Sequence, residues 1–169
     1  MNKTLITFFT VLFCMTSSFS WSEMVDDLVE WGGNYYQKVT LIPFTGKLTG
    51  SEQGSIKNGK REGTWVGYYD NGQLWYKGDY NDSVEKSKNG DKDGTWVHYW
   101  KNGQLRIKYN YKNDKFERAF VSYHENGQLN GKGNYKNGKE EGAWVVYHED
   151  GTVWLKFTGT FKDGVNIND

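Results

Sequence analysis

From about residue 60 onward the chain alternates between apolar and polar positions in short runs separated by Asn-Gly or Asp-Gly pairs. After the first such pair, Leu74, Tyr76, Gly78 and Tyr80 fall on one side of an extended strand, and Gln73, Trp75, Lys77 and Asp79 on the other. Leu105/Tyr111 and Leu129/Tyr135 repeat the pattern, with Lys108 and Lys132 on the polar side. One apolar and one polar face predicts an antiparallel sheet with one side wet. The run before each turn differs. Trp65, Trp96, Phe120 and Trp144 form one column, Val66, Val97, Val121 and Val145 the next, and Tyr68, Tyr99, Tyr123 and Tyr147 follow. Successive side chains point to opposite faces, so both sides of this strand are apolar. A helix is a poor alternative, because glycine recurs too often and no apolar set keeps a 3.6-residue spacing over enough residues.

The pattern is a repeat. GTWVGYYDNGQLWYKGDY begins at Gly63, GTWVHYWKNGQLRIKYNY at Gly94, RAFVSYHENGQLNGKGNY at Arg118 and GAWVVYHEDGTVWLKFTGTF at Gly142. The turn glycines Gly72, Gly103, Gly127 and Gly151 are spaced 31, 24 and 24 residues apart, the long interval carrying an insertion from Asn81 to Ser87. The last unit has two extra residues between Gly151 and Phe161. Lysine-rich links of the form K-N-G-K-x-x-G join the units, except at Lys112–Arg118, which lacks both glycines. Each unit thus holds two turns and two strands, which predicts an all-β, elongated antiparallel meander of stacked hairpins. Two registers stay open. A two-residue type I′ turn puts Trp65 opposite Gly78 and leaves the Val–Tyr face wet. A three-residue loop at Asp70–Gly72 with a bulge joins that face to Leu74 and Tyr80 instead.

The N-terminus reads as an address. Lys3 precedes an apolar run from Leu5 to Met15, and Ser18 and Ser20 stand three and one before a cut ahead of Trp21. Residues 1–20 are therefore expected to be a signal peptide, with the mature protein exported: periplasmic, envelope-associated or secreted. The run is shorter than the ~20 residues a membrane span needs. Cys14 admits a lipoprotein reading, against which Phe13 stands where a small residue belongs. Residues 21–45 are expected to be a terminal cap, with Met24, Leu28 and Trp31 sharing one face of a short helix, and residues 46–169 the repeat array.

Composition agrees with the pattern. Aromatics make up 17% of the 169 residues, Gly counts 21 and Pro one, which excludes both a disordered chain and a collagen. Lys+Arg and Asp+Glu are equal at 21, so no basic footprint for nucleic acid exists. The single cysteine lies in the leader, so the mature chain has no thiol chemistry. His124 and His148 occupy equivalent positions in adjacent units, about 9.6 Å apart by ladder spacing, too far to share a metal. No carboxylate pair, phosphate loop or nucleophile set emerges, so no catalytic residues, metal or cofactor are expected. The variable columns are the better contact candidates. One holds Tyr69, Trp100, His124 and His148; the other holds Trp75, Arg106, Asn130 and Trp154. From these, Tyr69, Trp75, Trp100, His124, His148 and Trp154 are the candidate partner-binding residues.

The unit Gly63-Thr64-Trp65-Val66 through Tyr68-Tyr69, Asn71-Gly72-Gln73-Leu74, Lys77-Gly78 and Tyr80, followed by the Asn-Gly-Lys-x-x-Gly link, resembles the MORN repeat in its bacterial variant form. The resemblance covers about residues 54–164, with Pro43–Ser55 similar to a degenerate opening repeat. It implies stacked hairpins in a twisted sheet and a non-enzymatic scaffold that binds a protein partner or a lipid surface. The readings carried forward are an exported scaffold of this kind, a cell-wall glycan-binding module, and an antitoxin-like binding protein if the chain is not exported.

Overall fold

The computed structural model describes residues 22–24, 27–81 and 91–168. The expected signal peptide, Cys14 with it, and all of the insertion after Asn81 lie outside these residues. The fold is all-β. Strand β1 (Ser22–Met24) lies parallel to β4 (Gly46–Thr49). From β4 the chain runs as an antiparallel meander through β5 (Glu52–Lys57), β6 (Lys60–Tyr68), β7 (Leu74–Asn81), β8 (Asp91–Tyr99) and β9 (Leu105–Lys112). It continues through β11 (Arg118–Tyr123), β12 (Leu129–Lys136), β13 (Lys139–Val146), β14 (Gly159–Lys162) and β15 (Val165–Asn166). The short β10 (Lys115–Phe116) also pairs with β9, giving a 13-stranded sheet. No helix among the described residues is long and apolar enough to cross a membrane.

Among the described residues the helix expected between Trp21 and Gly33 is not formed. Leu28–Trp31 is strand β2, paired with β3 (Asn34–Gln37) in a separate hairpin. Gly32 and Gly33 both take positive φ and close a two-residue turn, and Val29, Tyr35 and Tyr36 favour a pleated pair over a helix. Leu28 is buried while Trp31 is 76% exposed, so the two do not share an apolar face. Leu28 and Tyr35 pack with Phe44, Leu48, Ile56 and Trp65 at the N-terminal end of the array.

The same Asn-Gly dipeptide makes two different turns. In the links, Asn58-Gly59 and Asn137-Gly138 have positive φ at both residues, the type I′ signature, and Lys57 pairs with Lys60 and Lys136 with Lys139. At the far end of each hairpin only the glycine is left-handed. There the Tyr69 carbonyl accepts the Gly72 N–H and the Tyr69 N–H donates to the Gln73 carbonyl, both at 2.8 Å, a three-residue loop. A bulge then inserts Trp75 between Leu74, opposite Tyr68, and Tyr76, opposite Gly67. The second irregularity cancels the first, and Trp65 faces Gly78 after all. Each of the two registers left open by the sequence holds in part: the loop has three residues, yet Trp65, Tyr76 and Gly78 are buried together and Val66 and Lys77 face outward.

The core is a layer of rings on one face of the sheet. The Trp65 ring lies over Gly54, Trp96 over Gly78 and Trp144 over Gly133, where a Cβ would come within 2.1–2.3 Å of the indole. Each indole N–H donates to the carbonyl one residue further on, Ser55, Asp79 and Asn134, at 3.0–3.2 Å. Phe120 is the one non-Trp member of its column, and it follows Tyr109, the residue standing in the glycine column between Gly78 and Gly133. A large residue in the glycine column leaves no room for an indole. Burying rings of this size removes enough apolar area to stabilise the sheet by about 4 kcal/mol each.

The link without glycines keeps the backbone of its neighbours. Asn113, Asp114 and Arg118 take φ of 50°, 59° and 65°, matching Asn58, Gly59 and Gly63. The strand that is continuous in β6 and β8 is here broken into β10 and β11 at Glu117. The final hairpin is also interrupted. Its two extra residues are taken up by a 3₁₀ turn at Leu155–Phe157 before β14 resumes the pairing with β13.

Candidate binding surface

The bulge in each hairpin re-aims one side chain, as bulges do. The bulged residues are Trp75, Arg106 and Asn130, three members of one variable column. Each meets the member of the other column in its own repeat. Tyr69 and Trp75 lie 6.1 Å apart, and the Arg106 guanidinium sits 4.6 Å over the Trp100 ring. Asn130 Nδ2 is 3.1 Å from His124 Nε2, and in the last repeat His148 stacks on Trp154 at 4.5 Å. The six predicted residues therefore form a row of pairs along the hairpin tips rather than one pocket.

The column of Tyr69, Trp100 and His124 also joins consecutive repeats. Tyr69 donates its hydroxyl to the Tyr99 carbonyl at 2.7 Å, and Trp100 its indole N–H to the Tyr123 carbonyl at 3.0 Å. His124 Nε2 lies 3.0 Å from the Tyr147 carbonyl. Asn71, Asn102 and Asn126 make a parallel series, donating to the Lys101, Glu125 and Glu149 carbonyls at 2.9–3.3 Å. Tyrosine, tryptophan and histidine are interchangeable here because each carries a ring and a hydrogen-bonding tip. His148 occupies the last place in the column and turns to Trp154 instead.

The row encloses a cleft between the second and third repeats. In the pair next to the tip, Gly67 faces Tyr76 and His98 faces Ile107, but Ser122 faces Gly131. Two small residues leave a gap in the ring layer. A cleft of about 350 Å³ opens there, lined by Trp100, Arg106, Ile107, Phe120, Ser122 and His124 among others. A second hollow of about 310 Å³ shares Phe120, Ser122 and Asn130 with it and extends to Trp144, Phe157 and Phe161. Trp100 and His124 thus reach one cleft, while Tyr69 and Trp75 stand at the other end of the row and Trp154 touches Phe157 at 4.7 Å. Sequence reasoning passed over Ser122, Gly131 and Phe157; the signal was two small residues at positions that are larger in the neighbouring repeats.

It also passed over a charged cluster inside the ring layer. Arg61 Nη2 donates to Glu52 Oε2 at 2.8 Å and to the Tyr35 hydroxyl, Nη1 to the Tyr80 hydroxyl at 3.3 Å, and the guanidinium lies 4.2 Å over Trp65. Tyr76 donates to Glu52 Oε1 at 2.8 Å, and burial together with that carboxylate pushes its hydroxyl well above the usual tyrosine range. Lys92 stands at the equivalent place one repeat later, 4.5 Å over Trp96. His98 stacks on Tyr109 and lies tilted against Tyr76, with Nε2 2.7 Å from the Tyr109 hydroxyl. Burial, with Lys92 and Arg106 nearby, brings its pKa down to about 4. The Arg61 charge is satisfied internally, which is what a cation inside a ring layer requires. Among the described residues no three His, Cys, Asp or Glu side chains gather as a metal site.

These features define a protein of β-hairpin repeats that presents its variable residues from equivalent tip positions. Residues 61–82, 92–113 and 119–137 match the MORN repeat variant family, and the chain carries three repeats of that family. No curated protein matches the chain. Among solved structures it is similar to the crystal structure of the GtfA/B complex bound to UDP and GlcNAc, at 15% identity and a TM-score of 0.28. That likeness covers 69% of this chain and 24% of the other, so the chain spans about a quarter of that length.

Proposed function

We propose that this chain is an exported, non-enzymatic scaffold that binds a protein partner through its hairpin tips. The observation that carries the reading is the apolar end of the row. Trp154 is 39% exposed and Leu155 79%, with Val153 and Phe157 beside them, and Phe157 leads into the hollow at Phe120 and Trp144. A contiguous apolar surface beside a cleft marks an interaction site more often than a bare surface. The family supports a scaffold, and the leader pattern at 1–20 supports export.

The test is capture from an envelope fraction by the purified chain, compared with Trp75→Ala and Trp154→Ala variants of unchanged melting temperature. Loss of a specific protein in the variants supports the reading. Equal capture by all three chains removes it, and retention on purified cell-wall glycan in place of a protein moves the assignment to a glycan-binding module. Fractionation of the native protein tests export; an uncleaved cytoplasmic chain removes that part.

A further inference from the structure

The strand glycines that face the ring layer differ in what surrounds them. A Cβ at Gly54, Gly67, Gly78 or Gly133 would collide with a ring at 2.1–2.3 Å, so those positions are glycine because packing demands it. Gly131 is different. A Cβ there would meet the Val145 carbonyl, Ser122 Oγ and Val146 Cγ2 at 3.5–3.6 Å, ordinary contact distances. Tyr76 and Ile107 fill this place in the two preceding repeats. The gap at Gly131 is therefore not needed by the fold, and it is rimmed by the Phe120 and Trp144 rings.

Arg106 lines the neighbouring cleft, which shares Phe120, Ser122 and Asn130 with the hollow at Gly131. Its guanidinium lies over the Trp100 ring, and no carboxylate among the described residues lies in ion-pair range of it. The guanidinium sits 4.6 Å over the Trp100 ring with no carboxylate on its N–H groups, which leaves its fork free to pair with one. Arg106 and Gly131 sit on β9 and β12, two ladder steps or about 9.6 Å apart. An extended peptide advances about 3.3 Å per residue, so residues two or three apart span that distance once side-chain reach is counted.

Resting on the reading that the partner is a protein, we propose that these two adjoining hollows together seat one acidic, apolar peptide segment. One apolar side chain enters the gap at Gly131 between Phe120 and Trp144, and a carboxylate two or three residues away pairs with Arg106.

The probe is a capped hexapeptide carrying phenylalanine and aspartate two positions apart, titrated against the full chain and followed by the indole signals of Trp100 and Trp144. Its asparagine analogue should bind roughly tenfold more weakly, the loss of one charge-assisted pair. Arg106→Gln should erase that difference, and Gly131→Leu, which has room to fold, should weaken both peptides at least tenfold. The asparagine peptide with a free C-terminus separates the two sources of carboxylate: recovery of affinity assigns Arg106 to a chain terminus, and no recovery to an acidic side chain. Equal affinity for the aspartate and asparagine peptides, unchanged binding by Gly131→Leu, or no binding of any peptide overturns the proposal. A partner captured in a Trp154-dependent way but equally well by Arg106→Gln leaves the scaffold reading standing and removes this one.

Discussion

The Trp96 ring lies flat over Gly78, close enough that a Cβ on Gly78 would sit 2.1 Å from the indole Cδ2, while the indole N–H reaches the Asp79 carbonyl at 3.2 Å. Glycine and tryptophan here form a single packing unit split between adjacent repeats. Gly78→Ala should therefore destabilise the chain by at least ~2 kcal/mol, because neither the backbone nor the ring can yield without losing the hydrogen bond. Gly131→Ala should be neutral or slightly stabilising, as its Cβ meets only ordinary contacts and alanine restricts the unfolded chain. Urea midpoints of the two variants decide it; equal midpoints would show that the ring is free to move.

Arg118 holds a φ of 65° at the place where Gly63, Gly94 and Gly142 hold 67°, 66° and 76°. A left-handed non-glycine residue is strained, and Arg118 is exposed. Arg118→Gly should raise stability by about 0.5–1 kcal/mol, the relief exceeding the entropy cost of glycine. The urea midpoint should rise with no change in slope. A lower midpoint would mean that the arginine side chain contributes packing here.

The repeats, the links and the wet face were legible in the sequence because each rests on a local rule: glycine at left-handed positions, and alternation along a strand. The register was not, because the Gly72 loop and the Trp75 bulge cancel, and compensating irregularities leave no trace in composition. The N-terminal segment misled because Leu28 and Trp31 are three apart, a helical spacing, while the Gly32-Gly33 turn that makes a hairpin lies just beyond. At the tips, variability among Tyr69, Trp100 and His124 reads as exposure, yet what they share, a ring with a polar end, is what bridges one repeat to the next. The cleft needed the register first: only once Ser122 is known to face Gly131 does their small size become a gap.

Tyr69→Phe and Trp100→Phe each keep a ring and remove the donor that reaches the next repeat's carbonyl. Each should cost about 1 kcal/mol, the net worth of a hydrogen bond whose acceptor keeps partial access to water. His148→Phe should cost close to nothing, since its ring contact is the stack on Trp154 and it bridges to no carbonyl of another repeat among the described residues. Chemical denaturation of the three variants separates the inter-repeat contribution from ring packing. A loss at His148 equal to the other two would place the stabilisation in the rings and not in the bridges.

His98 supplies a pH dependence of known sign. Its unfolded value is about 6.5, and burial among Tyr76, Trp96 and Tyr109, aided by the charges of Lys92 and Arg106, lowers the folded value to about 4. Between those values the unfolded chain binds a proton that the folded chain refuses, so stability is present above pH 6.5 and is lost as pH falls toward 4. The loss attributable to this group is up to ~3 kcal/mol, lessened by whatever solvent reaches the ring. The His98 imidazole resonances should hold steady from pH 7 down to 5, and a titration midpoint near 6.5 would show the ring to be solvated. Acid also destabilises folded proteins through their carboxylates, so the comparison is with His98→Gln. That variant can still hydrogen-bond Tyr109, and its stability should fall less steeply between pH 6.5 and 4.5 than that of the native chain. Parallel slopes would assign the acid sensitivity to the carboxylates alone.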